Sequence, residues 1–321
     1  MAKILANDGI AENGKKIIED AGIEVDTNNI PQDQLPDKLN DYDGIIVRSA
    51  TKVRKDLIDA CPNLKFIGRA GVGLDNIDVE YAEEKGVKVA NTPAASSLSV
   101  AELVFSHLAG MVRFLPESNR KMPENGTDEF KTLKKQYSKG TELRGKTLGL
   151  IGFGRIGQET ARIAIGMGMH VIPFDVIDRV VDIKVPIHPS FKVDAPSVRL
   201  ETVDKGTVLQ HSDFVSLHTP FIPEQGPVIT SVEFNQMKDG AGIVNCARGG
   251  VIKEDDLLSA LDSGKISAAG VDVFEEEPTN NKALLSHPKV SLTPHIGAST
   301  VEGQSRVAEE MAQSVVDYFK K

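Results

Sequence analysis

Short apolar runs alternate with longer stretches in which apolar residues return every three or four positions, and the alternation continues along most of the chain. In the first third, strand-type runs fall at Lys3–Asp8, Gly44–Ser49, Leu64–Gly68 and Val87–Ala90. Helix-type runs fall at Glu12–Asp20, Lys55–Cys61 and Val79–Lys85, with Gly22 and Gly86 as stops. Ser99-Val-Ala-Glu102 has the spacing of a capping box and predicts a long apolar helix reaching Phe114. Pro116–Gly140 is polar, carries Pro123 and Asn125-Gly126, and reads as irregular connection with room for one helix. A second alternating set begins at Lys146. Its strands are Thr147–Ile151, His170–Phe174, Asp213–His218, Gly242–Asn245, Ala268–Val273 and Val290–Thr293. Its helices are Arg155–Met167, Ser231–Met237, Glu254–Leu261 and Val301–Phe319. The Pro- and Val-rich stretch between Asp175 and Glu201 shows no period and predicts a surface excursion. Alternation of this kind predicts an α/β fold, with parallel sheets covered by helices on both faces.

Composition narrows the class. The 321 residues suggest two domains at ~150 residues each. With 40% hydrophobic and 26% charged residues the chain has the balance of a soluble globular protein. No uncharged apolar run approaches the ~20 residues of a membrane helix, and the apolar start Ile4-Leu5-Ala6 ends at once in Asn7-Asp8, unlike a signal peptide. Cys61 and Cys246 make no disulfide framework and fit no zinc spacing, which predicts a cytoplasmic protein without a metal site. The net charge of −9 argues against nucleic acid or an anionic membrane as partner. An anionic small molecule would have to meet a local cluster of positive charge.

The strongest chemical signal is Gly152-Phe-Gly154-Arg-Ile-Gly157. A lone G-x-G-x-x-G is weak, but this one follows a strand run and opens a helical one. The next strand ends in Asp175, near the offset of a ribose-binding acid. Gly152 then serves the tight turn, Gly154 the close approach of a pyrophosphate, and Gly157 the packing of helix on strand. Free amides at Arg155 and Ile156 suit the phosphates. Asp175 favours NAD over NADP, because a 2′-phosphate ~4 Å away would cost about 4 kcal/mol at an effective dielectric near 20. Gly68-Arg-Ala-Gly71-Val-Gly73 imitates the fingerprint without its third glycine, and offers amides beside Arg69 as a nest for a small carboxylate.

Seven histidines are available for proton transfer: His107, His170, His188, His211, His218, His287 and His295. Ligands of open α/β sheets sit beyond the carboxyl ends of strands, which favours His218 and His295 without choosing between them. His107 lies within the long helix and reads as packed. Arg248, after the strand ending at Asn245, offers a fork suited to a carboxylate. Cys246 shows no sign of an activated thiolate and reads as a small apolar residue. The acidic run Glu275-Glu276-Glu277 reads by itself as a solvated loop.

Taken together, several segments resemble the D-isomer-specific 2-hydroxyacid dehydrogenases. They are Val47-Arg-Ser-Ala-Thr-Lys-Val53, Gly68–Asp78, Asn91-Thr-Pro93, Gly152–Gly157, Leu217-His-Thr-Pro220, Val244–Gly249, Gly270–Pro278 and Thr293–Ala298. The resemblance covers nearly the whole chain. It implies two Rossmann-like doubly wound parallel-sheet domains, with an NAD domain (99–293) inserted in a flavodoxin-like substrate domain (1–98 and 294–321). It implies that His295 is the acid/base, Glu277 its carboxylate partner and Arg248 the substrate-carboxylate arginine. Gly152, Gly154, Arg155, Ile156, Gly157, Asp175, Thr219, Pro220, Cys246, Ala247, Asp272, Gly297 and Ala298 fall at cofactor positions, with NAD as cofactor. Arg48, Ser49, Arg69, Gly71, Val72 and Gly73 fall at the edge of the substrate lobe, Val72 also at a cofactor-contact position. Arg48, Lys52, Arg54 and Arg69 are cations available to a phosphorylated substrate.

The implied reaction is oxidation of 3-phosphoglycerate to 3-phosphohydroxypyruvate at the head of serine synthesis. A reductase for glyoxylate, hydroxypyruvate or another 2-keto acid is the enzymatic alternative, and an NADH-sensing, corepressor-like binding protein the non-enzymatic one. A homodimer or higher homo-oligomer is implied, with the long helix as a dimer surface. The chain departs from the family pattern in three places. Val72 stands where threonine is frequent, no tryptophan occurs near Gly126–Phe130, and the stretch Val176–Arg199 is long. The sequence ends after one helix, so feedback through an added serine-binding domain is not expected.

Overall fold

The computed structural model describes residues 1–187, 190 and 194–320; His188 lies outside these, as does part of the long stretch 176–199. The chain gathers into two compact units, Met1–Ser99 with Ala298–Lys321, and Val100–Gly297. His295 and Gly297 therefore group with the middle of the chain rather than with its ends.

The first unit is built on β1 (Lys3–Ala6), β2 (Glu24–Asp26), β3 (Gly44–Val47), β4 (Phe66–Arg69) and β5 (Lys88–Asn91). They form a 5-stranded parallel sheet in the order β2-β1-β3-β4-β5, the flavodoxin-like winding. Apolar residues run almost without interruption because both faces are covered. Ile4, Ala6, Ile46 and Phe66 pack with Val307, Met311 and Val315 of the closing helix Val301–Phe319. Their neighbours Leu5, Ile45, Val47 and Ile67 point the other way, onto Leu57 and Ile58 of the helix Lys55–Ala60.

The second unit is built on β6 (Thr147–Ile151), β7 (His170–Phe174), β8 (Val180–Lys184), β9 (Ser197–Glu201), β10 (Phe214–Leu217), β11 (Ala241–Asn245), β12 (Ile266–Val271) and β13 (Val290–Leu292). Six of them make a parallel sheet in the order β13-β12-β11-β10-β6-β7. Its faces are again both apolar: Ile151, Val215, Leu217 and Ile243 on one side, Leu148, Leu150, Phe214 and Val244 on the other.

Several expectations are corrected. Within Asp175–Glu201, β8 and β9 form an antiparallel pair, Val180 opposite Glu201 and Lys184 opposite Ser197. Only Ile183 of these ten positions is buried, so the alternation that betrays a strand is almost absent. Pro116–Gly140 holds two helices, Leu115–Asn125 and Phe130–Gln136; Leu133 is their only buried residue. Ser99 caps nothing: its helix starts two residues earlier, at Ser97, and its hydroxyl bonds Thr300 Oγ1 at 2.8 Å. Thr300 is the true cap there, accepting from Gly303 N at 2.9 Å to open the closing helix. Among the described residues no single helix is long and apolar enough to cross a membrane.

Candidate active site

Each strand of the second sheet delivers a candidate residue just past its carboxyl end. Gly152 follows β6, Asp175 β7, His218 β10, Arg248 β11, Asp272 and Glu277 β12, and His295 β13. The winding reverses between β6 and β10, which opens the crevice where α/β sheets take ligands. His170, His211 and His287 precede strands or begin them, at the opposite edge.

At the reversal, Gly152 holds a left-handed φ of 96°. A Cβ there would lie 2.5 Å from the His218 carbonyl oxygen, and a Cβ on Gly157 would run into the Gly152 carbonyl. Gly154 is different, since a side chain there would meet no protein atom within 4 Å. The helix Arg155–Gly166 starts at Gly154 without a side-chain cap, so the amides of Arg155 and Ile156 have no acceptor within the helix. Ser216 Oγ, Thr219 Oγ1 and both ring nitrogens of His218 are buried without a hydrogen-bond partner. Burial pushes the His218 imidazole down to about 3. Uncapped amides, open space at one glycine and unsatisfied donors and acceptors around it suit the pyrophosphate and hydroxyls of a dinucleotide.

Asp175 ties this turn to β7: its Oδ2 accepts from Phe153 N at 2.8 Å, and its Oδ1 from Ile177 N at 3.1 Å. Arg179 Nε stands 3.4 Å from the same carboxylate. Cys246 and Ala247 are buried after β11, and burial, helped by Asp272, raises the Cys246 thiol well above its ordinary value, so it stays a thiol. Pro220 is exposed.

On the other side of the edge the side chains are wired to one another. His295 Nδ1 and Glu277 Oε2 are 2.6 Å apart. An ionised carboxylate only accepts, so Nδ1 is the donor of this bond, and in the neutral ring Nε2 then keeps its lone pair. Glu277 Oε1 also accepts from Phe274 N at 3.2 Å. Its loop is held by Glu254, whose Oε1 accepts from Glu275 N at 2.8 Å and whose Oε2 accepts from Asn281 Nδ2 at 2.7 Å. His295 has a left-handed backbone, φ 53°, which costs a non-glycine residue free energy. The neighbouring bonds hold it there. His295 N donates to Asp272 O, Ile296 N to Asp272 Oδ1 and Gly297 N to Asp272 Oδ2, each at 2.8 Å. Asp272, a cofactor position by resemblance, is 1% exposed and anchors this segment.

Arg248 sits on a turn shaped by Asn245, whose Oδ1 accepts from Ala247 N at 3.0 Å and whose Nδ2 donates to Arg248 O at 2.9 Å. Arg248 Nη1 donates to Ala247 O at 2.7 Å.

In the first unit the corresponding edge carries Arg48 and Ser49 after β3 and the loop Arg69–Gly73 after β4. Asp8, which sequence reasoning passed over, fastens the first loop: its Oδ2 accepts from Arg48 N at 2.6 Å and its Oδ1 from Thr51 Oγ1 at 2.6 Å. Arg69 Nη1 donates to Ala70 O at 3.1 Å, and Val72 O accepts from Asn91 Nδ2 at 2.7 Å. Arg54 is committed elsewhere, paired with Asp78 at 2.9 Å and donating to Asp75 O at 2.7 Å. Ala298 also belongs to this unit, and its carbonyl accepts from Gln304 Nε2 at 2.9 Å. Asn245, Glu254, Ser216 and Thr293 were likewise not singled out in the sequence; each is a polar residue whose part appears only when strands are set side by side.

Comparison with known proteins gives the family. Residues 105–297 match the family described as D-isomer specific 2-hydroxyacid dehydrogenase, NAD binding domain. A hydroxypyruvate reductase from Thermotoga maritima is 45% identical over 296 residues, 91% of this chain and 90% of its own length. A D-3-phosphoglycerate dehydrogenase from Methanocaldococcus jannaschii is 43% identical over 98% of this chain. The chain spans 57% of the length of that relative. The crystal structure of a D-lactate dehydrogenase from Aquifex aeolicus, complexed with NAD and lactic acid, superposes with a TM-score of 0.76 at 28% identity, covering 99% of this chain and 95% of the other. The chain thus belongs to the D-isomer-specific 2-hydroxyacid dehydrogenase family, and its middle unit is that family's NAD-binding domain.

Proposed function

We propose that the chain interconverts a D-2-hydroxy acid and its 2-keto acid, with 3-phosphoglycerate and 3-phosphohydroxypyruvate as the substrate pair. A chain with that activity supplies serine synthesis. The observation that carries the reading is the 2.6 Å His295–Glu277 pair on the carboxyl edge of an NAD-binding sheet.

NAD, when bound, supplies the hydride acceptor. The glycine turn Gly152, Gly154 and Gly157 with the amides of Arg155 and Ile156 would hold its pyrophosphate, and Asp175 the adenosine ribose. Thr219, Pro220, Cys246, Ala247, Asp272, Gly297 and Ala298 would line the remainder. His295 Nε2 takes the hydroxyl proton of the substrate while the same carbon loses its hydride, leaving a carbonyl. Glu277 stabilises the imidazolium that forms and keeps the proton on Nδ1. Arg248 grips the substrate carboxylate through its planar fork and draws charge from the reacting oxygen. Arg48, Ser49 and the loop Arg69, Gly71, Val72 and Gly73 are assigned to substrate, with Arg48, Lys52 and Arg69 as the cations for its phosphate; Arg54 is no longer among them. The long helix expected to form a dimer surface has Val100, Val104, Phe105, Leu108 and Met111 buried, so a second copy would meet instead the exposed Leu115, Met122 and Phe130 of the two helices that follow it.

A second reading, reduction of hydroxypyruvate or a related keto acid, is favoured by the relative from Thermotoga maritima, which matches over most of its length. Measuring kcat/KM for 3-phosphoglycerate against glycerate, glyoxylate and hydroxypyruvate separates the two. A preference of about 10²-fold or more for the phosphorylated acid is expected, the worth of two good charge-assisted contacts. Equal or better turnover of unphosphorylated acids overturns the first reading in favour of the second.

A further inference from the structure

His107 is 2% exposed in the helix Ser97–Val112, yet both its ring nitrogens are bonded. Nδ1 lies 2.8 Å from Ser291 Oγ and Nε2 3.1 Å from Thr293 Oγ1. Ser291 is in β13 and Thr293 directly follows it, so both precede His295 on the same strand run. The Thr293 hydroxyl has one hydrogen, and Asp272 Oδ1, 2.6 Å away, takes it. An ionised carboxylate can only accept, and both oxygens of this one already accept from backbone amides. Thr293 Oγ1 must then accept from His107, which puts the ring hydrogen on Nε2 and leaves Nδ1 to accept from Ser291. The ring is neutral and every polar atom in the chain of bonds has a partner. Burial, opposed by the Asp272 charge, keeps the imidazole below its ordinary value, which agrees with the neutral form. The ring packs directly on β12, where only a glycine leaves room for it: a Cβ on Gly270 would lie 2.6 Å from His107 Cβ and 2.8 Å from its Cγ.

We infer that His107 is a positioning residue for His295, acting through Thr293 and Asp272 on the backbone of residues 295–297. The relay runs from Ser291 to His107, then Thr293, then the Asp272 carboxylate, which holds the amides of Ile296 and Gly297. Those two amides follow the left-handed turn at His295, so the orientation of the Asp272 carboxylate fixes where the catalytic imidazole stands. Without the His107 donor, the Thr293 hydroxyl keeps only its bond to Asp272 and is no longer held from behind, so the third donor to the carboxylate is free to turn. The inference rests on the hydride-transfer reading above only for its kinetic consequence; the geometric consequence holds without it.

The test uses His107→Phe, which keeps ring bulk and removes both nitrogens, and His107→Gln, which keeps a donor near Nε2. In the ligand-free protein, amide hydrogen exchange across residues 295–298 is expected to speed up by about tenfold in His107→Phe, with the change largely reversed in His107→Gln. In steady state with NADH and the best keto acid of the panel, kcat is expected to fall about tenfold in His107→Phe with KM for NADH nearly unchanged. The primary isotope effect with NADH deuterated at the transferred position rises as the chemical step becomes limiting. A merely structural role gives another pattern, because fewer folded molecules lower apparent kcat and leave the isotope effect at the wild-type value. Exchange in 295–298 unchanged in His107→Phe, or a lowered kcat with the wild-type isotope effect, overturns the inference. Absence of any turnover by the wild-type chain instead overturns the hydride-transfer reading and leaves the exchange measurement to decide for His107.

Discussion

At the carboxyl ends of β6 and β10, buried polar atoms of Ser216, His218 and Thr219 find no partner in the protein, whereas at β12 and β13 the Asp272 carboxylate alone takes three donors. Both regions belong to one sheet edge and both follow its strands by a few residues. The difference is in what completes them. A buried polar group left unpaired costs about 1–3 kcal/mol, so the end proposed for the cofactor stores a deficit that a bound dinucleotide would relieve. The end proposed for proton transfer is wired before anything binds: the His295 backbone is clamped, Glu277 accepts from its Nδ1, and the Glu277 loop is pinned by Glu254. Groups that must act in a transition state gain from being fixed in advance, while groups that only bind can be left for the ligand to satisfy.

The sharpest way to break this comparison is to damage one end and measure the other. His295→Ala removes the proposed proton acceptor from a pair that lies at the far end of the strand order from β6 and β7. Turnover is expected to fall by about 10²–10⁴-fold, the usual worth of a general base, with NADH affinity by fluorescence titration within about twofold of wild type. NADH affinity falling as far as turnover would mean the two ends are a single cooperative site. The converse substitution is Gly154→Val. No atom stands within 4 Å of the new side chain and the backbone φ is an ordinary −74°, so the ligand-free melting temperature is expected to hold. The added bulk fills the approach to the helix N-terminus, and NADH is expected to bind about tenfold or more weakly, ~1.4 kcal/mol. A drop in apo stability equal to the loss of binding would show that Gly154 serves the fold instead.

The two ends also differ in how much of them the sequence reveals. Much of the cofactor end is local in the chain: strand, three glycines, helix, strand and acid follow one another between Thr147 and Asp175, and apolar patterning with the glycine spacing locates them. The proton-transfer end is assembled from three strands, and no spacing within Glu277 or His295 says that they meet at 2.6 Å. Only the resemblance chose His295 over His218. What stayed hidden has a common cause. β2 is three residues with only Val25 buried, and β8 and β9 bury one residue between them, so apolar patterning had nothing to act on. Asp8, Glu254 and Thr293 act through hydrogen bonds to distant segments, which leave no periodic trace. His107 was legible as packed and illegible as bonded, because its partners lie 184 and 186 residues further along.

The subtlest difference between the ends should be visible in acid. The His218 imidazole is neutral in the folded protein with its proton affinity lowered to about 3, against an ordinary 6.5. Below its ordinary value the unfolded chain takes up a proton that the folded chain refuses. The group therefore costs nothing above about pH 6.5, and stability is lost as pH falls from there toward 3, at up to ~1.4 kcal/mol per pH unit for one proton. His107, lowered in the same direction by burial, adds to the slope with the same sign. The His218→Leu protein cannot take up that proton and no longer buries two unpaired nitrogens. Its ligand-free stability by urea titration is expected to match or exceed wild type at pH 7.5, and to decline less steeply between pH 6 and pH 4. Saturating NADH should stabilise it less than wild type, since the unsatisfied ring is part of what the cofactor completes. An equally steep acid decline in both proteins would place the missing protons on carboxylates, and equal stabilisation by NADH would remove His218 from the set of groups left for the ligand.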